Sequence, residues 1–196
     1  MRYDRMEYYL RSAVMRGKCI ERNDHFMKKA LLVIDMQNDY LWEQRKAKFT
    51  YDTDRIIRSV NSLIEQYQSN KHDIIYIKHI IQNNPINCIL FGFSIQGTKG
   101  AELYSGLNIV SEYCIEKLFP DAFSSKKLRE LIKEKQYDAV AICGLDEGGC
   151  VSATAKGAVK NGLSVEMLTD GIATYFSLVK IEKLRNELKS KGVKFI

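Results

Sequence analysis

Three residues in this sequence have side chains suited to covalent chemistry and sit where chemistry can be done: Asp35, Lys117 and Cys150. A carboxylate can take up a proton, an ammonium can hold negative charge in place, and a sulfur nucleophile can attack a carbonyl carbon. Asp35 directly follows the apolar run ALLVI (Ala30–Ile34), and Lys117 ends the short segment Tyr113–Lys117. Cys150 lies in GLDEGGCV (Gly144–Val151), which follows DAVAIC (Asp138–Cys143). Singly each is ordinary. Aspartate often ends a strand, lysine is mostly solvated, and free cysteine usually packs as a small hydrophobe. Their joint placement at the ends of three strand-like segments makes a base, a cation and a nucleophile converge. Cys150 also stands where a helix is expected to begin, and the positive end of a helix favours thiolate. Gly148 and Gly149 before it permit close approach of a substrate.

The elements that must hold these groups alternate in type. Ala30–Ile34, Asp73–Ile81, Tyr113–Lys117, Asp138–Cys143, Leu163–Leu168 and Val193–Ile196 read as strands. Asp52–Tyr67, Ser124–Lys135, Gly149–Asn161 and Leu178–Lys189 read as helices, and Asn83–Gly100 as a long loop. Apolar runs without alternation mark strands covered on both faces. The pattern predicts an α/β fold: a three-layer, Rossmann-like arrangement with a mainly parallel sheet of about six strands and helices on both faces. In such sheets ligands bind beyond the carboxyl ends of the strands, where the three residues fall.

The order and spacing of LLVIDMQNDY, GTKGAEL (Gly97–Leu103), EKLFPDAFSSKKL (Glu116–Leu128), GLDEGGCVSATAKGA (Gly144–Ala158) and TDGIA (Thr169–Ala173) resemble the isochorismatase-like cysteine hydrolases, which include nicotinamidases and N-carbamoyl amidases. The resemblance spans roughly Lys29 to Thr174. It implies that Asp35, Lys117 and Cys150 form a catalytic triad, with Asp35 shuttling the cysteine proton and Lys117 holding charge. It implies attack by Cys150 on a carbonyl, a covalent intermediate and its hydrolysis by water. It further implies a cis peptide at Leu145–Asp146, with the backbone N–H groups of Asp146 and Cys150 forming an oxyanion hole. The expected substrate is a small molecule with an amide, carbamoyl or similar C–N bond. Two other readings stand beside it: vinyl-ether cleavage of the isochorismatase type using Asp35 and Lys117, and a non-catalytic binding protein on the same fold.

The departures from that family are informative. Nicotinamidases hold zinc through an Asp-x-His and a further His after the second strand. Here the only histidines are His25, His72 and His79, so no metal and no other cofactor is expected. Asp146 and Glu147 put two carboxylates beside the nucleophile, and Glu147 is expected to face outward or to meet a polar substrate. Gln37, Tyr40, Trp42 and His79, near the ends of the first two strands, are further candidates for contacting the substrate, with bracing of the Asp35 loop as the other role open to Gln37.

The composition limits the alternatives. With 196 residues, 45% hydrophobic and 28% charged, the chain is an ordinary globular protein. No apolar run is long enough to cross a bilayer, and the first residues lack the apolar core of a signal peptide, so no membrane partner and a cytoplasmic location are expected. Five cysteines, widely spaced and odd in number, fit reduced thiols. The net charge of +6 raises the question of nucleic acid, yet residues 1–29 hold eight basic groups against four acids and so carry +4 of it. Residues 1–29 therefore read as a basic, helical extension, and 30–196 as the hydrolase domain with no nucleic-acid partner. Met27, ahead of Lys28 and Lys29, reads as an alternative start of translation. No G-x-G-x-x-G follows the first strand, and Thr98 stands where a P-loop after Gly92 needs lysine. A homo-oligomer, dimer or tetramer, is expected from the resemblance.

Overall fold

The computed structural model describes residues 27–196. The helix expected within 1–29 therefore lies outside the described residues. Six strands form one sheet: β1 (Lys29–Ile34), β2 (Asp73–His79), β3 (Cys114–Lys117), β4 (Ala139–Gly144), β5 (Ser164–Ile172) and β6 (Lys194–Phe195). Their spatial order is β3-β2-β1-β4-β5-β6, and every pairing is parallel. The sheet is thus wholly, not mainly, parallel among the described residues.

Successive residues of β1 point to opposite faces. Ala30, Leu32 and Ile34 join one core cluster, while Leu31 and Val33 join the other. The first cluster is closed by α4 (Lys126–Lys135) and α5 (Ser152–Lys160), and α6 (Leu178–Ser190) adds Leu188. The second is closed by α2 (Thr53–Ser69), whose Ile56, Val60, Ile64 and Tyr67 recur at helical spacing and are buried. Each such aliphatic side chain stabilises the fold by about 1.5–3 kcal/mol. Asp52 begins α2 by accepting a hydrogen bond from the Arg55 N–H at 3.0 Å.

Three local features differ from the sequence reading. The 83–100 loop contains a short helix, α3 (Pro85–Leu90), started by the Asn84 side chain and by Pro85 at its first turn. No residue of α3 is buried: Ile86, Ile89 and Leu90 stand exposed, and at six residues the helix is too short to show a period. Strand β5 continues through Thr169-Asp170-Gly171 to Ile172, past a register irregularity opposite Ile142–Gly144. The helix expected from Gly149 instead begins at Ser152, after a wide turn over Glu147–Val151 in which Gly149 has φ −133° and ψ −109°.

The chain runs outward from β1 to β2 and β3, then returns to lay β4 against the other side of β1. The crevice of an open parallel sheet forms at such a reversal, here between the carboxyl ends of β1 and β4. Gly144 makes this junction close-fitting. Its φ is +109°, and a Cβ there would lie 2.1 Å from the Ile34 carbonyl oxygen.

Candidate active site

Asp35 is the first residue beyond β1, and its backbone turns into the left-handed region at φ 52°. Aspartate is among the few residues that accept this conformation readily. Its N–H donates to the Ile77 carbonyl at 2.8 Å, which fastens it to the neighbouring strand. Lys117, last in β3, sits in register with His79 of β2. Its side chain reaches past β2 and donates from Nζ to Asp35 Oδ2 at 2.9 Å and to Cys150 Sγ at 3.2 Å. Two strand spacings are about 10 Å, a span that only a long side chain can bridge. Asp35 and Lys117 are 3% and 1% exposed.

Electrostatics set the resting protonation state. Burial pushes the Cys150 thiol well above its ordinary value, and the Asp35 charge pushes it the same way. Lys117 opposes both but does not overcome them. Burial alone would lower the Lys117 pKa, yet Asp35 and the thiol beside it leave it raised. The site therefore rests as an ammonium beside a protonated thiol. Cys150 sits inside the wide turn, two residues ahead of the regular helix, and burial there pushes the thiol up against the pull toward thiolate that a helix start would give.

The turn itself is braced by its own carboxylates. The Leu145–Asp146 peptide is cis, at the position the resemblance implied. Asp146 Oδ1 accepts from the Gly148 N–H (2.7 Å) and Thr174 hydroxyl (3.0 Å), and Oδ2 from the Tyr51 hydroxyl (3.0 Å) and Tyr175 N–H (2.9 Å). The N–H groups of Leu145 and Glu147 donate to the carbonyls of Ile34 and Ala173, whereas that of Asp146 between them bonds no backbone carbonyl. The Asp146 carbonyl accepts from the Gly149 and Val151 N–H groups at 3.0 and 3.1 Å.

Glu147 corrects the sequence reading. It is buried rather than outward-facing, and Arg185 of α6 grips both its oxygens, Nε to Oε1 at 2.5 Å and Nη2 to Oε2 at 2.9 Å. A carboxylate withdrawn from water needs such a partner, so Glu147 faces the helix layer and not a substrate. The Ser152 hydroxyl also bonds the Glu147 carbonyl.

A cavity of about 180 Å³ opens over the sulfur. Asp35, Tyr40, His79, Asp146 and Cys150 line it, as the sequence reading placed them. Gln37 and Trp42 do not. The Gln37 amide is buried, donating to the carbonyls of His79 and Ala101 at 3.0 and 2.8 Å and accepting from the His79 N–H at 2.8 Å. It ties the ends of β1 and β2 together instead of meeting a ligand. Trp42 lines a neighbouring hollow with Asp39 and Cys88. Burial and the Lys117 charge lower the His79 pKa, which keeps the ring neutral beside the Tyr40 hydroxyl at 3.3 Å.

The sequence reading missed most of the wall. Phe49, Tyr51, Phe93, Tyr175 and Phe176 line the cavity together with Lys48. Phe49 packs edge-on to Tyr40, Phe93 and Tyr175 at centroid separations of 4.9, 5.3 and 5.8 Å. The one signal available was aromatic clustering in otherwise polar loops, Phe49-Thr50-Tyr51 and Tyr175-Phe176.

A family model, the isochorismatase domain, matches residues 29–186. The chain belongs to the isochorismatase family. Among curated relatives, the uncharacterized isochorismatase family protein YddQ of Bacillus subtilis (strain 168) is 26% identical over 149 residues, 76% of this chain and 79% of its own. Streptothricin hydrolase of Streptomyces noursei is 25% identical over 150 residues, 75% of this chain and 55% of its own. Among solved structures, the pyrazinamidase of Pyrococcus horikoshii in complex with zinc is similar with a TM-score of 0.75 at 26% identity, covering 86% of this chain and 98% of that one.

The zinc of that isochorismatase-family relative has no matching donor set here. Among the described residues no three His, Cys, Asp or Glu side chains are grouped to hold a metal ion. The segment after β2, His79-Ile80-Ile81-Gln82, brings a single imidazole, and its Nδ1 meets the Tyr40 hydroxyl. The residues present do not fit the ion.

Proposed function

We propose that this isochorismatase-family hydrolase cleaves an amide, carbamoyl or similar C–N bond of a small molecule through a covalent Cys150 intermediate. The observation that carries the reading is the Lys117 ammonium, held between Asp35 Oδ2 and Cys150 Sγ at 2.9 and 3.2 Å. Because the thiol rests protonated, its proton passes to Asp35 as the sulfur attacks the carbonyl carbon. Lys117 stabilises the charge on sulfur while it develops. The carbonyl oxygen, now negative, takes hydrogen bonds from the Asp146 and Cys150 N–H groups; one such donor contributes about 10²–10³ in rate. The C–N bond breaks, Asp35 returns the proton to the leaving nitrogen, and an acyl thioester remains on Cys150. Water then gives one proton to Asp35 and its hydroxyl to the acyl carbon. The C–S bond breaks, the acid leaves, and the proton goes back to sulfur.

Two relatives support the C–N reading by name, a pyrazinamidase and a streptothricin hydrolase. The test is ammonia release from a panel of small amides and N-carbamoyl compounds by the wild type and by Cys150→Ala, with mass spectrometry of the acid-quenched protein. Turnover and an acyl adduct on Cys150 are expected, both lost in the variant. The Asp35–Lys117 contact does not pass through the sulfur, and vinyl-ether cleavage would need those two residues alone. Ether cleavage that persists in Cys150→Ala, with no amide turnover, favours that second reading. An absence of turnover in either panel would point to a binding protein on the same fold.

A further inference from the structure

The cavity over Cys150 is an aromatic box with one exposed lysine, Lys48, in its wall. Lys48 Nζ stands over the rings of Phe93 and Phe49, 4.5 and 4.9 Å from their centroids. Lys180 Nζ lies 3.2 Å from the centroid of Phe176. Phe49, Phe93 and Phe176 all line the cavity. Neither lysine forms an ion pair with a carboxylate among the described residues. The two acids in the cavity wall are already answered, Asp35 by Lys117 and Asp146 by four donors. The wall therefore carries Lys48, with no carboxylate partner among the described residues, beside an apolar space enclosed by aromatic rings.

We propose that the substrate of this site is a small, flat, unsaturated amide or carbamoyl compound that bears a carboxylate, and that Lys48 is the residue selecting for that anion. The proposal rests on the hydrolase reading above and adds the substrate class to it. Shape supports the flat part. A space of about 180 Å³ equals about six liquid waters, room for one small ring, and its walls are aromatic faces and edges that favour stacked or edge-on partners. Charge supports the anionic part. A carboxylate entering the mouth offers Lys48 a full negative charge in place of the partial charge of a ring face and so draws it off the rings. A cationic compound would meet Lys48 and, beside Cys150, Lys117.

The test compares three matched amides: benzamide, the monoamide of isophthalic acid, and benzamide carrying an aminomethyl group. Ammonia release gives kcat/KM for each with the wild type, Lys48→Gln and Lys48→Arg. The wild type is expected to prefer the carboxylated amide over benzamide by about tenfold, the equivalent of about 1.4 kcal/mol. That ratio should fall toward one in Lys48→Gln, survive in Lys48→Arg, and shrink at 0.5 M salt (the concentration is a choice of experiment). Equal or better turnover of the neutral or cationic amide by the wild type, or a preference unchanged in Lys48→Gln, overturns the proposal. A second arm is independent of turnover: calorimetric titration of benzoate into Cys150→Ala with and without Lys48→Gln. If no amide is cleaved, the hydrolase reading fails, yet saturable benzoate binding that weakens about tenfold with Lys48→Gln still supports anion selection. Absence of binding, or binding indifferent to Lys48, overturns it.

Discussion

Lys117 Nζ and Asp35 Oδ2 form an ion pair at 2.9 Å with side chains 0% and 4% exposed. Withdrawing two charges from water is costly, and hydrophobic residues of similar volume would often hold a core at least as well. The Asp35 carboxylate also faces the Cys150 thiol, whose proton it holds in place. Its position, beside a thiol at the sheet's crevice, fits a group kept for proton transfer.

Removing one partner should therefore hurt more than removing both. Lys117→Met leaves a buried carboxylate uncompensated and is expected to destabilise by about 3–5 kcal/mol. The double variant Asp35→Asn/Lys117→Met, which keeps a residue that accepts the φ of 52°, should recover part of that loss. Urea unfolding of the wild type, both single variants and the double variant gives the coupling. A Lys117→Met midpoint indistinguishable from wild type would show that the pair is solvated after all.

The Cys150 thiol should react slowly at neutral pH, because burial first and Asp35 second hold it above its ordinary value. Iodoacetamide is expected to modify exposed Cys88 faster at pH 7, with the Cys150 rate climbing only as pH rises beyond about 9. The neighbouring charge gives a sharper check. Asp35→Asn removes a group that raises the thiol pKa and should speed alkylation of Cys150 at neutral pH, whereas Lys117→Met should slow it. The opposite order would contradict the charge assignment. The same shift has a stability consequence. Below about 9 the thiol is protonated folded or unfolded; above it the unfolded chain releases the proton first, so stability falls as pH rises.

Asp35 was legible because β1 is apolar throughout and the first polar residue after it marks the edge where a ligand binds; Lys117 at the end of β3 and Cys150 in the loop after β4 were singled out because they fall at the same edge. The aromatic wall was not. Phe49, Tyr51, Phe93 and Tyr175 come from loops with no period, and only the closed chain sets each ring 5.3–6.2 Å from another of the four. Glu147 read as outward-facing since nothing near it in sequence could compensate its charge; its partner is 38 residues away on α6. For Gln37 the sequence left two roles open, a brace for the Asp35 loop and a substrate contact; its amide takes the first, holding β2 and the 99–101 turn.

The Arg185–Glu147 pair should matter to the geometry of the Cys150 turn more than to ligand affinity. Arg185→Leu strips both donors from a buried carboxylate, an expected loss of about 1–3 kcal/mol, discounted because the Arg185 side chain is 40% exposed. With any substrate the protein turns over, kcat should fall about tenfold or more while KM moves little, since the cavity lining excludes both residues. Arg185→Lys should restore only part of the rate, because a single ammonium cannot grip both oxygens. A change in KM alone would place Arg185 in ligand binding instead.

Gly144 should be intolerant of the smallest side chain. An alanine Cβ would stand 2.1 Å from the Ile34 carbonyl oxygen and 2.8 Å from its nitrogen, both backbone atoms that cannot swing aside. The positive φ of 109° adds strain for any L residue. Gly144→Ala is expected to destabilise by more than about 3 kcal/mol, among the larger single-site effects. Gly162→Ala is the control: φ is +80° there too, yet nothing lies within 4 Å of the added carbon, so about 1 kcal/mol is expected. Equal midpoints for the two variants would remove the steric argument.

Tyr51 should stabilise the Asp146 turn in a pH-dependent way. Burial raises the Asp146 carboxyl above its ordinary value, while the Tyr175 and Gly148 N–H groups and the Thr174 and Tyr51 hydroxyls pull it back. Tyr51→Phe deletes one of the donors that favour the ionised form, so the folded-state pKa rises further. At pH 7 the carboxylate is ionised in the unfolded chain and must be accommodated, short of a donor, in the folded one. The variant should therefore be less stable by about 1 kcal/mol at pH 7. As pH falls through the raised folded pKa toward the ordinary carboxylate value near 3.8, the folded state takes up its proton first. A neutral carboxyl needs the lost donor less, and the deficit of Tyr51→Phe should shrink. Urea midpoints of both proteins at pH 7 and pH 4.5 measure the difference; a deficit that stays constant or grows on acidification would mean that the Tyr51 hydroxyl does not act by favouring the ionised Asp146 carboxylate.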